Sequence, residues 1–204
     1  MTFRELSVPG AWEITPQLHH DQRGAFYEWF TDREFSAATG HNFELRQANC
    51  SVSSRGVLRG LHFAELPPSQ AKYVTCVRGA VFDVMVDIRV GSPTFGSWDS
   101  VLLDDTDRRS VYLSEGLAHG FVALEQDSTV MYLCSAEYSP GREHSISPVD
   151  PALSIQWPVP ASEMVVSEKD RQAGTLDDAH AAGILPSWEA TRVFVDHLRA
   201  RLTD

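Results

Sequence analysis

The stretch that decides the fold is AKYVTCVRGAVFDVMVDIRV, residues 71–90. In its second half two sets of residues alternate: Phe82, Val84, Val86 and Ile88 are interleaved with Asp83, Met85, Asp87 and Arg89. This period of two predicts a β-strand with one apolar face and one face that carries carboxylates. The Arg78-Gly79 pair interrupts the run and predicts a hairpin turn between strands at 73–77 and 80–89.

More short strand-like segments follow at similar spacing. They cover 97–103, 110–113, 120–124 and 129–135, and the turn-forming stretches GSPTFG, DDTDRR and EQDS separate them. Many short strands with a turn signal every eight to twelve residues indicate an antiparallel sandwich or barrel.

Helical signals lie on either side of this region. Thr31 with Glu34 three positions later, then Phe35 and a closing Gly40, predict a short capped helix near the N-terminus. After Trp157-Pro158 the spacing becomes helical, with apolar or amphipathic residues at Val193, Phe194, His197, Leu198 and Leu202. No internal repeat or long linker divides the chain, so we expect one domain over 1–204.

Composition excludes several classes of protein. The 204 residues carry a net charge of -11, which argues against a nucleic-acid or anionic-membrane surface but not against a small anion held by a few basic residues. Three cysteines without CxxC spacing suggest buried thiols in a reducing compartment. No apolar run suits a membrane span or a secretory signal, so a cytoplasmic protein is expected. Lysine occurs only at Lys72 and Lys169, which either marks both as sites for a compact ammonium group or reflects a composition bias that missed two surface positions.

Two polar groups on predicted strands could carry chemistry. Gln47, Asn49 and Ser51 alternate and therefore share one face. Arg59 and His62 would point to opposite faces of a regular strand, so a bulge near Gly60 is needed to turn both inward. Taken alone, such an arginine and histidine are more typical of a satisfied polar pair than of a catalytic one.

A family resemblance rests on six runs that occur in order and cover nearly the whole chain. The runs are DQRGAFYEWF (21–30), QANCSVSSRGVLRGLHF (47–63), QAKYVTCVRGAVFDVMVDIRVGSPTFG (70–96), YLSEGLAHGFVAL (112–124), MYLCSAEYSPGREHSI (131–146) and SEKD (167–170). Together they resemble the dTDP-4-dehydrorhamnose 3,5-epimerase family. The resemblance implies a mainly β, cupin-type jelly roll with its core at about 45–160 and a helical extension at about 176–204. It also implies a homodimer with exchanged N-terminal strands, a dTDP-linked 4-keto-6-deoxyhexose as substrate, and no metal or organic cofactor.

The resemblance assigns four catalytic roles. His62 would be the base that removes a proton next to the 4-keto group, and an ordinary histidine pKa of about 6.5 suits this task. Asp170 would orient His62, with Asp83 as the second candidate carboxylate. Tyr132 would be the acid on the opposite face of the sugar, and Lys72 would stabilise the enolate oxygen.

The same resemblance assigns the substrate contacts. Arg59 and Arg23 would grip the diphosphate, because guanidinium groups match phosphate oxygens, and Arg23 would come from the exchanged segment. The other contacts would be made by Phe26, Glu28, Gln47, Asn49, His119, Tyr138, Glu143 and Lys169, with Ser51 as a weaker candidate.

Three alternatives stay open at this point. The chain reads Phe63-Ala64 after His62 where many members have Tyr-Gln, and relatives that invert only C3 or only C5 in antibiotic deoxysugar synthesis share similar stretches. A non-catalytic sugar-nucleotide-binding cupin would not need His62, Lys72, Tyr132 and Asp170 together. A metal-dependent cupin, with His119 as one ligand, would need a His-x-His pair that Phe63 and Ala64 do not supply.

Overall fold

The computed structural model describes residues 1–200 and builds them around two facing β-sheets. The strands are β1 Thr2–Glu5, β2 Ala11–Thr15, β3 His19–Asp21, β4 Gly24–Phe26, β5 Gln47–Ser53, β6 Val57–Ala64, β7 Lys72–Arg78, β8 Ala80–Asp87, β9 Trp98–Asp104, β10 Ser110–Leu113, β11 Leu117–Ala123, β12 Ser128–Cys134, β13 Glu143–Ser145 and β14 Val165–Val166. The helices are α1 Asp32–Thr39, α2 Glu168–Arg171, α3 Leu176–Ala181 and α4 Trp188–Ala200, with a 3₁₀ turn at Ala161–Glu163.

One sheet has the order β1-β2-β10-β7-β12-β5, and the other has the order β13-β6-β11-β8-β9, with β14 parallel to β6. We call them the first and the second sheet. The β3–β4 hairpin belongs to neither. The predicted sandwich of short antiparallel strands is therefore confirmed.

Strand β8, in the second half of the 71–90 stretch, is buried on both faces. Met85 is fully buried in the apolar core between the sheets, and Asp83 and Asp87 on the same face have no exposed surface. On the other face, Val84 and Val86 pack beneath α3 and the segment at 146–157. The carboxylate-bearing face thus points into the sandwich, because the layer outside the second sheet covers the apolar face.

The predicted hairpin at Arg78-Gly79 is wrong. The turn exists, and Gly79 has a φ of 73°. However, β7 pairs with β10 and β12 in the first sheet, whereas β8 pairs with β9 and β11 in the second. The alternating pattern defines each strand, but its hydrogen-bonding partners come from distant segments, so a corner between sheets looks like a hairpin in the sequence.

The N-terminal helix forms as expected, with one difference. Gly40 ends α1 in the left-handed conformation, and its N–H donates to the carbonyl of Ser36. The predicted capping box does not form, because Thr31 makes no capping hydrogen bond and Glu34 instead accepts from the N-terminal ammonium of Met1 at 3.0 Å.

The C-terminal helix α4 also forms, but its buried stripe differs from the predicted one. Thr191 and Val195 are buried, while Val193 is 53% exposed and His197 is exposed. Leu202 lies outside the described residues.

Cys76 and Cys134 are buried as expected, but Cys50 is exposed on β5, because it alternates with the inward-facing residues of that strand. Within residues 1–200, no helix combines the length and apolar character that a bilayer crossing requires.

Candidate active site

A cleft opens between the two sheets and contains two adjoining chambers. The first chamber, about 470 Å³, is lined by Ser51, Val57, Leu58, Arg59, His62, Lys72, His119, Phe121, Tyr132, Val165, Val166, Ser167, Lys169 and Asp170. The second chamber, about 320 Å³, is lined by Gln47, Asn49, His62, Gln70, Lys72, Tyr132, Tyr138, Glu143, His144 and Lys169. Four residues line both chambers, namely His62, Lys72, Tyr132 and Lys169.

A register shift in β6 brings Arg59 and His62 to the same cleft. His62 is opposite His119 and Arg59 is opposite Phe121, so β6 has one residue more than β11 across this interval. The expected bulge near Gly60 is confirmed. Gly60 has a φ of 122°, and a Cβ at this position would lie 2.5 Å from the Cα of Gly120. Only glycine allows both this conformation and this approach of two backbones.

His62 forms a close pair with Asp170. Its Nε2 lies 2.7 Å from Oδ1 of Asp170, whose side chain comes from α2. The helix is capped by Ser167, which accepts the N–H of Asp170. Burial raises the pKa of the Asp170 carboxyl, but hydrogen bonds from His62 and Ser167 outweigh this effect and hold that pKa below its usual value. Asp170 is therefore an anion that fixes the imidazole and leaves Nδ1 as the other ring nitrogen.

A second histidine–carboxylate pair lies beside the first. Nε2 of His119 is 2.9 Å from both carboxylate oxygens of Asp83, which has no exposed surface. Asp83, the second candidate partner of His62, is therefore bonded to His119 instead. Because His119 and His62 are opposite each other on β11 and β6, the two pairs are neighbours on the inner face of the second sheet.

Lys72 and Tyr132 enter from the opposite side of the cleft, on β7 and β12 of the first sheet. Burial lowers the pKa of Lys72, while Cys134, Glu143 and Asp83 act in the other direction. Burial raises the pKa of the Tyr132 phenol, and Arg59 partly opposes this. Tyr132 is therefore protonated at neutral pH and able to donate a proton.

The second chamber brings together most of the other predicted contacts. Gln47 donates to Asn49 at 2.8 Å and accepts the backbone N–H of Tyr138 at 2.8 Å. Tyr138 is 58% exposed, so its side chain is accessible to a ligand. Glu143 lies on β13 at the same chamber.

Positive charge gathers at the cleft although the chain as a whole is acidic. Arg59 donates to Oγ of Ser53 at 3.1 Å and lines the first chamber, and Lys169 and Lys72 line both chambers. Three cations around one cleft favour an anionic ligand. Ser51 adds a buried hydroxyl that has no hydrogen-bond partner within residues 1–200.

Three predicted contacts lie elsewhere in the single chain. Arg23, Phe26 and Glu28 are exposed on or just after the β3–β4 hairpin and line neither chamber. Arg23 pairs with its neighbour Asp21, and Phe26 is 69% exposed.

The cleft also contains residues that were not predicted from the sequence. Leu58, Phe121 and Val166 are among the apolar residues along the first chamber, and Gln70 and His144 line the second. Nε2 of His144 donates to Oε1 of Glu65 at 2.8 Å, and the His144 ring packs on the Phe63 ring. The apolar residues gave no signal because a hydrophobic strand residue looks the same whether it faces a core or a cavity.

The site is suited to moving protons at carbon. A histidine paired with a carboxylate and a phenol line the same cleft from facing sheets, and an ammonium group lies in the same lining; such groups are able to accept a proton, donate a proton and stabilise negative charge. In the described part of the chain, no cluster of three or more His, Cys, Asp or Glu side chains has metal-site geometry. The sandwich and this site fit the cupin-type jelly roll of an isomerase that the sequence motifs resemble.

Comparison with known proteins identifies the family. The family model described as dTDP-4-dehydrorhamnose 3,5-epimerase matches residues 5–178. A protein of that name from Mycolicibacterium smegmatis is 66% identical over 203 residues, 99% of either chain. The chain belongs to the dTDP-4-dehydrorhamnose 3,5-epimerase family.

Solved structures agree with this membership. An epimerase from Mycobacterium tuberculosis superposes with a TM-score of 0.95 at 63% identity, covering 97% of this chain and 100% of that one. A 3'-monoepimerase from Streptomyces bikiniensis, solved with dTDP-quinovose, has a TM-score of 0.92 at 47% identity and covers 96% and 98% of the two chains.

Proposed function

We propose that this chain inverts C3 and C5 of dTDP-4-dehydro-6-deoxy-D-glucose and releases dTDP-4-dehydro-L-rhamnose. The observation that carries the proposal is the placement of His62 and Tyr132 on facing sheets, where both line the same two chambers. Inversion at carbon needs a base on one face of the sugar and an acid on the other. Family membership supports the same reaction.

The proposed reaction uses the acidity of hydrogens next to the C4 carbonyl. His62 takes the proton from C3, and the electron pair moves onto the carbonyl oxygen to form an enolate. Lys72 stabilises that oxygen by its positive charge, and Asp170 stabilises the imidazolium. Tyr132 then returns a proton to C3 from the opposite face and is reprotonated from solvent, and His62 releases its proton to solvent before the next cycle. The same cycle at C5 completes the double inversion.

The rest of the substrate accounts for the polar residues of the cleft. Arg59 and Lys169 face the diphosphate, and Tyr138 stacks on the thymine. Gln47, Asn49 and Glu143 hydrogen-bond the nucleotide, while His119, held by Asp83, contacts the sugar. Roles of this kind fit the polar second chamber and the cations at the cleft.

Arg23, Phe26 and Glu28 complete the site in a homodimer under this proposal. The hairpin that carries them is exposed, and Phe26 presents an aromatic ring to solvent. Exchange of N-terminal strands between two copies would bring the hairpin of one copy to the cleft of the other.

We also propose that the chain acts as one domain over 1–204 in the cytoplasm. Asp170 and β14 follow the jelly-roll core in sequence, yet they line the cleft and pair with β6, which ties the C-terminal part to the core. The three cysteines are free, which suits a reducing compartment.

The test is an NMR time course with dTDP-4-keto-6-deoxyglucose in D₂O, with a rhamnose-forming reductase and NADPH in a parallel tube. Deuterium at both C3 and C5, with dTDP-L-rhamnose in the coupled tube, is expected. Deuterium at one carbon only would assign a mono-epimerase, the activity of the S. bikiniensis relative. No exchange at either carbon would leave a binding protein as the better assignment.

Two variants test the individual roles. His62→Ala is expected to slow exchange at both carbons by about 10²- to 10⁴-fold, the usual effect of losing a general base. Tyr132→Phe is expected to retain part of the exchange and to lose inversion. Full solvent exchange in His62→Ala would rule out His62 as the base.

A further inference from the structure

A buried glutamate, Glu115, lies beside the segment that leads into Lys72 and has no role in the reaction proposed above. Glu115 follows β10 and is only 2% exposed. Its Oε1 accepts the hydroxyl of Ser135 at 3.0 Å, and its Oε2 is buried without a partner within residues 1–200. A carboxyl group in such a place is unfavourable unless its hydrogen bonds are worth more than its loss of water.

The sheet register places Glu115 and Ser135 around the residue before Lys72. Lys72 is opposite Leu113 on β10 and opposite Cys134 on β12. Glu115 therefore comes two residues after one neighbour of Lys72, and Ser135 comes one residue after the other.

These groups form a chain of hydrogen bonds that ends at the backbone of Ala71. The N–H of Ala71 donates to Oγ of Ser135 at 2.8 Å, and the Ser135 hydroxyl donates to Glu115. The N–H of Ser135 donates to the carbonyl oxygen of Ala71 at 3.0 Å. The next residue, Gly116, donates to Oγ of Ser69 at 3.1 Å, so the segment leading into Lys72 is held at two points.

The side chain of Lys72 makes few polar interactions of its own. Among the described residues, its ammonium forms no salt bridge and no side-chain hydrogen bond, so the backbone and packing set its position in the cleft. Phe194 and Leu198 of α4 line the same cavity of about 70 Å³ as Glu115 and Ser135. The C-terminal helix therefore packs beside this hydrogen-bond chain.

We propose that Glu115, acting through Ser135 and the backbone of Ala71, is a positioning residue for Lys72. It touches no substrate. It keeps the ammonium group where the enolate oxygen develops, and this inference rests on the function proposed above.

The first test separates transition-state positioning from substrate binding. In Glu115→Ala, kcat for C3 exchange is expected to fall about 10- to 100-fold, the range that follows from a displacement of a catalytic group by about 1 Å. The Kd for dTDP is expected to stay within about twofold, because the nucleotide contacts are elsewhere. Glu115→Gln retains an oxygen that accepts from Ser135 and is expected to restore most of kcat. Loss of affinity in place of kcat would overturn the proposal.

A double-mutant cycle asks whether the effect passes through Lys72. In a Lys72→Ala background, measured with enzyme in excess over substrate, Glu115→Ala is expected to cause less than about a twofold further loss. If the two losses multiply, Glu115 acts on the protein generally and the proposal fails. Ser135→Ala removes the same link and replaces Glu115→Ala if that variant does not fold. Ser128→Ala, a buried hydroxyl at the far end of β12, is the matched control and is expected to leave kcat unchanged.

A readout without substrate is available because the chain has only two lysines. In protein labelled with ε-¹³C-lysine, Lys169→Arg assigns the Lys72 signal by elimination. Glu115→Ala is expected to shift or broaden the Lys72 signal, Glu115→Gln to restore it, and Ser128→Ala to leave it unchanged. An unchanged Lys72 signal in Glu115→Ala would refute the positioning role. Absence of exchange in the unaltered protein would instead refute the proposed function.

Discussion

Replacing Asp170 by asparagine tests the His62–Asp170 pair most directly. The variant keeps the shape of the side chain but removes the negative charge 2.7 Å from Nε2 of His62. Asp170 is only 4% exposed, so bulk water does not replace the lost interaction. A hydrogen bond to a charged group contributes about 1.5–3 kcal/mol, and this pair stabilises the imidazolium that forms as His62 takes the proton. At about 1.4 kcal/mol per factor of ten, kcat/KM should fall about 10- to 150-fold.

The assay is the initial rate of deuterium incorporation at C3 and at C5, followed by NMR in D₂O for the unaltered protein and for Asp170→Asn. Asp99→Asn is the matched control, because Asp99 also has a lowered pKa and accepts from Ser7, but it lines neither chamber. The control is expected to keep its rate below its unfolding temperature. A rate within about twofold of the unaltered protein in Asp170→Asn would refute the reasoning, since the pair would then contribute nothing to proton transfer.

Further predictions concern the bulge, the buried histidine and the phosphate contacts. Gly60→Ala should lower the unfolding free energy, measured in urea, by more than about 2 kcal/mol and abolish deuterium exchange of the substrate. The control is Gly91→Ala, whose Cβ would meet nothing within 4 Å, and its unfolding free energy should fall by about 1 kcal/mol. Burial lowers the pKa of His41 from 6.5 to about 4, with a smaller contribution from the positive charge of Arg199. As the pH falls, His41 is therefore protonated in the unfolded chain before it is protonated in the folded protein. The unfolding free energy should therefore fall by up to about 3 kcal/mol between pH 6.5 and pH 4, and His41→Gln should flatten this dependence in urea titrations. Arg59→Ala should weaken dTDP binding about tenfold or more and reduce its salt dependence in calorimetry; an unchanged Kd would place the diphosphate elsewhere.

Short-range pattern was enough to predict most strands and both ends of α1. The alternating pattern of β5 and β8 depends on residues only a few positions apart, as do the turn signals between strands. The structure forms strands at both places. The bulge near Gly60 was also predictable, because Arg59 and His62 could not otherwise face the same way. The hairpin at Arg78-Gly79 was not, because strand partners depend on segments tens of residues away.

The site shows the same division. The family resemblance of the sequence motifs predicted His62, Lys72, Tyr132 and Asp170 as site residues, and all four line the first chamber. Periodicity alone could not pair Asp83 with His119, since 36 positions separate them in the chain. The apolar residues of the first chamber, such as Phe121, were missed for a different reason: their pattern is that of any core strand.

By itself, the sequence determined the β-rich class, the acidic and lysine-poor composition, the local bulge and the set of chemically capable side chains. Each of these depends on residue type and spacing within about ten positions. Only the tertiary structure decided which face of β8 points inward, which carboxylate meets which histidine, and that Ser135 links Glu115 to the backbone next to Lys72. Those outcomes depend on how two sheets and the C-terminal layer stack, because burial and hydrogen-bond partners are set by contacts between segments that are distant in the chain.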